Sequence, residues 1–205
     1  MAVILAILAA SLSLPEIDAR QARKLDASYP AWAVRSEQSS GFDFEVIVDS
    51  TGRVLECRIV AFAGSEKLAR DYCARAAKLK FKPATDSSGT AMAGVLRSSI
   101  VMSLDGPGGQ AEEARAFRAT PDLQFTVEPD VAKQMEGWYV PVAVQIDAHD
   151  RITSCAVISN SDRPVLSEQF KQMACSQIMT LGLRRPPTLP PSTPYVSTVR
   201  VGLVG

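Results

Sequence analysis

From Phe42 to Asp49 the chain alternates: Phe42, Phe44, Val46 and Val48 on one phase, and Asp43, Glu45, Ile47 and Asp49 on the other. A period of two predicts a strand with one buried face. Val140, Val142, Val144 and Ile146 repeat that phase later in the chain. Asp49-Ser-Thr-Gly52 and Asp147-Ala-His-Asp150 follow, both rich in turn formers. Second strands are predicted over 53–60 and 151–158, so the chain carries two hairpins. The two copies sit 98 positions apart, with Val46/Val144, Asp49/Asp147, Arg53/Arg151 and Cys57/Cys155 identical in place.

A helix is expected after each hairpin. Ser65 is a candidate cap for the first; Asp162, with Pro164 in the first turn, is the candidate for the second. Leu68, Ala69, Tyr72, Cys73 and Ala76 form one apolar stripe, and Leu166, Phe170, Met173, Ala174 and Gln177 mark the other. Lys80-Phe-Lys-Pro83 and Arg184-Arg-Pro186 close the helices, and last strands are predicted over 95–104 and 195–203. The lead-ins Tyr29-Pro-Ala-Trp-Ala33 and Glu128-Pro-Asp-Val-Ala132 also correspond. Each copy therefore reads helix–β–β–α–β. The division is 1–28 as export signal and lead, 29–104 as a first unit, 105–127 as a linker with a short helix near 112–118, and 128–203 as a divergent second unit. The class is α+β, with two tandem units, each a small antiparallel three-stranded sheet with helices packed on one face.

With 46% apolar residues the chain can bury a core. Lys plus Arg equals Asp plus Glu at 22 each, which argues against a nucleic-acid binder, since that function needs a basic surplus. The uncharged start Met1–Leu14 is too short to cross a bilayer and fits the apolar part of an export signal, with small residues at Ala9, Ser11 and Ser13.

The four cysteines fall two per unit, one on the second strand and one on the helix. This layout predicts Cys57–Cys73 and Cys155–Cys175 disulfides across the gap between helix and sheet. Closing a loop of 16 residues is worth about 3 kcal/mol, and oxidation agrees with export. Spacings of 16 and 20 give neither the close pairs of a zinc site nor a Cys-x-x-Cys motif; buried free thiols are the remaining alternative.

The first unit resembles the TonB C-terminal domain family, the periplasmic end of the energy transducer for outer-membrane transporters. The residues that carry the resemblance are Tyr29-Pro30 with Ala33, Gly41 leading into 42–49, Gly52-Arg53-Val54, Gly64-Ser65 before Leu68, Phe81-Lys82-Pro83-Ala84, Gly89 and the strand over 95–104. The second unit lacks Phe-x-Pro-Ala, and its membership rests on the internal repeat. The resemblance implies binding rather than chemistry. An exposed last strand would take up an extended segment, such as the TonB box of an outer-membrane receptor, by strand addition. In this chain that edge is Val95, Leu96, Arg97, Ser98, Ser99, Ile100 and Val101, with Arg97 and Ser99 facing one way and Ser98 and Ile100 the other. A complete transducer would also need an inner-membrane helix and a long Pro-rich span, and Pro186–Pro191 is too short for the latter. The expectation is therefore a periplasmic protein with two TonB-like modules, linked to transmembrane transport and at most peripherally or signal-anchored to a membrane. The alternative is a structural or assembly protein of the cell envelope whose repeats pair edge to edge.

Catalysis is not expected. His149 lies in a predicted turn, Asp49 and Asp147 are turn-capping residues with Arg53 and Arg151 as partners, and Trp32 and Trp138 read as packing residues. No phosphate loop, nucleophile elbow or His-Glu-x-x-His is present, and neither cofactor nor metal is expected.

Overall fold

The computed structural model describes residues 12–104, 109–134, 139–158 and 166–205. In chain order the elements are β1 (Glu16–Ile17), α1 (Ala19–Ala27), α2 (Ala31–Arg35), β2 (Ser40–Val48), β3 (Val54–Gly64), α3 (Glu66–Ala76), β4 (Phe81–Lys82), β5 (Ala84–Thr85) and β6 (Ala91–Met102). They continue as α4 (Gly109–Ala116), β7 (Leu123–Thr126), α5 (Pro129–Gln134), β8 (Tyr139–Ile146), β9 (Ile152–Val157), α6 (Glu168–Ile178) and β10 (Tyr195–Val204). The protein is a mixed α+β fold built on one multistranded sheet, ordered β3-β2-β6-β10-β8-β9, with β5 beside β6 and β7 beside β10.

Both hairpins form. β2 pairs antiparallel with β3 and β6, and β8 pairs antiparallel with β9 and β10. The expectation of two separate three-stranded sheets gives way at the junction. There β10 lies parallel to β6, with Tyr195, Val196 and Ser197 opposite Ala93, Gly94 and Val95. The physical reason is burial. Joining the sheets covers Ile47, Ala93 and Val95 with the apolar side chains of β8, β10 and α6, and these residues form one cluster.

The alternation in β2 predicts one buried face, yet all nine of its residues are buried. Phe42, Phe44, Val46 and Val48 pack under α3, where the Tyr72 ring sits 5.2 and 5.3 Å from those of Phe42 and Phe44. The opposite face, with Asp43, Glu45 and Ile47, is covered as well. Helices accordingly do not keep to one face. α4 packs on the side of Gly41, where an added Cβ would lie 2.4 Å from the Ala114 carbonyl oxygen and from Phe117 Cβ.

Ser65 caps α3 by accepting a hydrogen bond from the Leu68 N–H, and the five residues of the expected stripe are all buried. For the second helix, Asp162 and Pro164 lie outside the described residues; the cap of α6 is Ser167, which accepts from Phe170 N–H. Its buried face runs through Phe170, Ala174 and Ile178, while Met173 and Gln177 are exposed. The i, i+4 spacing keeps that face on the sheet and turns Met173 outward.

Residues 109–127 hold more than the expected short helix. α4 starts earlier than the expected helix, and β7 adds to β10 in parallel, burying Phe125 against Phe170. The lead is also docked. Ser13 bridges to Thr85, β1 pairs with β4, and Leu12 is buried with Ala84, Ala143 and Val196. A Cβ at Gly94 would lie 2.5 Å from Pro15 and 2.8 Å from the Ala84 Cβ. Gly94→Val is therefore expected to cost about 1–3 kcal/mol by overpacking. Urea unfolding reads the loss, and faster proteolysis around 12–18 reports release of the lead.

Candidate functional site

The strand singled out by the sequence, Val95–Val101, lies inside β6. Along its whole length it pairs with β2, Val95 opposite Ile47 and Val101 opposite Gly41. Arg97 and Ser99 share a face with Glu45 and Asp43, while Leu96 and Ile100 pack into the core under α3. The strand is an open edge only in part. Val95 is 3% exposed because Ser197 of β10 takes its other side. One residue further on, Thr198 Oγ1 donates to the Val95 carbonyl at 3.1 Å and accepts from the Arg97 N–H at 3.2 Å. Beyond that point β10 diverges to pair with β7. Among the described residues no strand pairs with Ser98–Met102 on the side away from β2.

A buried charge cluster fixes this divergence. Arg200 of β10, 0% exposed, donates from Nη1 to Asp43 Oδ1 at 2.6 Å and from Nη2 to the Thr120 carbonyl at 2.8 Å. Its backbone N–H donates to Asp122 Oδ2 at 2.8 Å, and its guanidinium lies over the Tyr139 ring. Arg97 donates to Asp122 Oδ1 at 2.5 Å and forms ion pairs with Glu45 and Asp43. Arg58 holds the other oxygen of Glu45. Three arginines thus meet three carboxylates drawn from β2, β3, β6, β10 and the segment before β7. The cluster was missed because Asp43, Glu45 and Arg97 occupy the polar phase of their strands and read as solvent-facing. The available signal was Arg200, a single charge between Val199 and Val201.

Both predicted disulfides are present. Cys57 of β3 joins Cys73 of α3 with Cα atoms 5.4 Å apart, and Cys155 of β9 joins Cys175 of α6 at 5.6 Å. Each ties an end strand of the sheet to its helix.

The hairpin turns are built as expected. Asp49 pairs with Arg53 at 3.1 Å and Asp147 with Arg151 at 2.8 Å. Burial pushes the Asp49 carboxyl up, but the Thr51 hydroxyl, the Arg53 and Thr51 N–H groups and the Arg53 side chain outweigh it and hold the pKa at about 2. For Asp147 the Arg151 N–H is the largest cause; it outweighs burial, and with the Arg151 side chain and the His149 N–H it gives about 2. Both pKa values are depressed on folding. Their stabilising contribution is complete above the unfolded value of about 4 and is lost as pH falls toward 2. An Asp49→Asn, Asp147→Asn variant is expected to show a shallower loss of stability between about pH 4 and 2 than the parent, read from urea midpoints at each pH.

His149 is exposed in its turn, and Trp32 lies on α2 beneath the Lys67 ammonium. Trp138 lies outside the described residues. Among the described residues no group of three or more His, Cys, Asp or Glu is arranged to hold a metal ion, and no helix is long and apolar enough to cross a membrane. No family model matches the chain, and no curated protein or solved structure matches it either. The fold and the crosslinks define a disulfide-bonded α+β protein organised on one mixed sheet.

Proposed function

We propose that this is a non-catalytic protein of the Gram-negative periplasm that binds extended peptide segments by strand addition, with two divergent units of the TonB C-terminal type. Its partners on this reading are protein segments such as the TonB box of outer-membrane receptors. The observation that carries the reading is the side of Ser98–Met102 left without a strand partner among the described residues, next to the paired stretch Ala93–Val95. Backbone groups there supply affinity, and the exposed Val101 with half-buried Ser98 and Ser99 supplies selectivity. Two disulfides fit an oxidising compartment. Titration of the full chain with TonB-box peptides, followed by NMR, is expected to move the amide signals of Ser98–Met102. No binding at millimolar peptide, with those signals unchanged, would refute the reading.

One observation favours a second reading. The parallel contact of β6 with β10 is an edge-to-edge pairing of the two repeats, as a structural or assembly protein of the envelope would use. On that reading Ser98–Met102 takes no peptide, so the same titration separates the two.

A further inference from the structure

The end strand β3 carries an edge that the β6 site does not explain. β3 pairs with β2 on one side only, and its outer side is bridged, by Lys80, at Arg53 alone among the described residues. Edge strands are normally guarded by charge, proline or a bulge. Ile59-Val-Ala-Phe-Ala-Gly64 holds no charge and no proline. The guard in that run is a bulge, where the pairing passes from Asp43 to Phe44 and leaves Val60 with no residue opposite it. Val60 and Phe62 are each 45% exposed.

Beside the strand lies a groove of about 620 Å³ between β3 and α3, lined in part by Cys57, Cys73, Ala74 and Ala77. Its guanidiniums are already matched, Arg58 by Glu45 and Arg70 by Glu66 at 2.6 Å, so the groove suits an uncharged side chain. Cys57–Cys73 ties the strand to the helix and preforms it. One edge thus bears both an exposed ring and a cavity that can hold one, which is the self-complementarity a two-fold contact requires.

Alternation limits the register. Phe62 lies opposite Phe42 and Cys57 opposite Val46, on the face under α3, whereas Ala61 lies opposite Asp43 and Arg58 opposite Glu45, on the other face. In an antiparallel pair, opposed residues share a face. The longest pairing of β3 with its own copy that respects both faces runs 55–64 against 64–55, with the two-fold axis between Ile59 and Val60. It sets Phe62 against Cys57 of the second copy, Arg58 against Ala61 and Glu56 against Ala63, so no charge opposes its like. Lys80 does not obstruct it, because the residue that would fall opposite Arg53 is Glu66, where the chain has turned into α3. With Lys plus Arg and Asp plus Glu at 22 each, no net charge repels a second copy. β9, at the other end of the sheet, would cover only six of the eleven residues of β3 and would build an open filament rather than a closed pair.

We propose that the protein forms a two-fold dimer in which β3 of each copy adds antiparallel to β3 of the other, continuing the sheet, with Phe62 of each copy seated in the β3–α3 groove of its mate.

Sedimentation of the full oxidised chain over a concentration series is expected to show the dimer. A sample mixed from isotope-labelled and unlabelled protein is expected to give intermolecular NOEs between the Phe62 ring and the Cys57 β protons. Val60→Lys places an ammonium beside the axis and is expected to raise the dissociation constant about tenfold or more. Ala74 is exposed on α3 and lines the groove. Ala74→Glu, with Arg70 one turn away as its partner, is expected to weaken the dimer by filling the groove. Both variants are expected to keep the parent circular dichroism. A monomer at NMR concentration, a dimer that neither variant weakens, or a dimer without the Phe62–Cys57 contact would overturn the proposal. Titration of the Val60→Lys variant with a TonB-box peptide still reads Ser98–Met102, so the dimer and the β6 site fail independently.

Discussion

Asp43→Ala is expected to destabilise the protein by about 3–5 kcal/mol, the usual cost of leaving one partner of a buried ion pair uncompensated. The partner here is Arg200, 0% exposed, whose Nη1 bonds to Asp43 at 2.6 Å. Truncation leaves that guanidinium with the Thr120 carbonyl and the Tyr139 ring, and its Nε already has no hydrogen-bond partner among the described residues. Arg97 loses one of its three carboxylates at the same time. Replacing both members, Asp43→Leu with Arg200→Met, is expected to recover most of the loss, because the desolvation cost disappears with the charges. Urea unfolding of the single and double variants measures both. A loss below about 1 kcal/mol for Asp43→Ala would place the cluster in solvent.

Removing the disulfides has the second large effect. Chain entropy assigns about 3 kcal/mol to each crosslink, for loops closed over separations of 16 and 20 residues. Together they amount to about 6 kcal/mol, against a total stability of about 5–15 kcal/mol for a protein of this kind. Each bond ties an end strand to its helix, so the damage begins at the two margins of the sheet. Unfolding midpoints with and without reductant, and for the paired Cys57→Ala, Cys73→Ala variant alone, are expected to show these losses separately. Unchanged midpoints under full reduction would contradict the assigned role.

Features set by neighbours along the chain were readable from the sequence. The period-two runs in β2 and β8, the Asp-led turns and Ser65 before α3 act over a few residues, the strand–helix placement of the cysteines over 16 and 20, and each appears in the fold. The union of the repeats was present in the sequence reading only as the edge-to-edge alternative, and nothing along the chain set its register or direction. Ala93–Val95 and Tyr195–Ser197 meet in parallel about one hundred positions apart, and parallel pairing leaves no turn to announce it. The same contact removed Val95 from the exposed edge and turned the polar phase of β2 inward, where Asp43 and Glu45 meet arginines from three strands. β7 escaped notice because four residues carry too little alternation to stand apart from a loop.

One sheet runs through both repeats and, among the described residues, leaves Ser98–Met102 without a strand partner on the side away from β2. Residue-resolved amide hydrogen exchange tests it most directly. Slow exchange is expected at the β6–β10 junction, comparable to that in β2, with fast exchange of those Ser98–Met102 amides that do not bond to β2, and protection of the latter when a TonB-box peptide is added. Uniform protection along β6 in the free protein, or fast exchange at the junction, would contradict it.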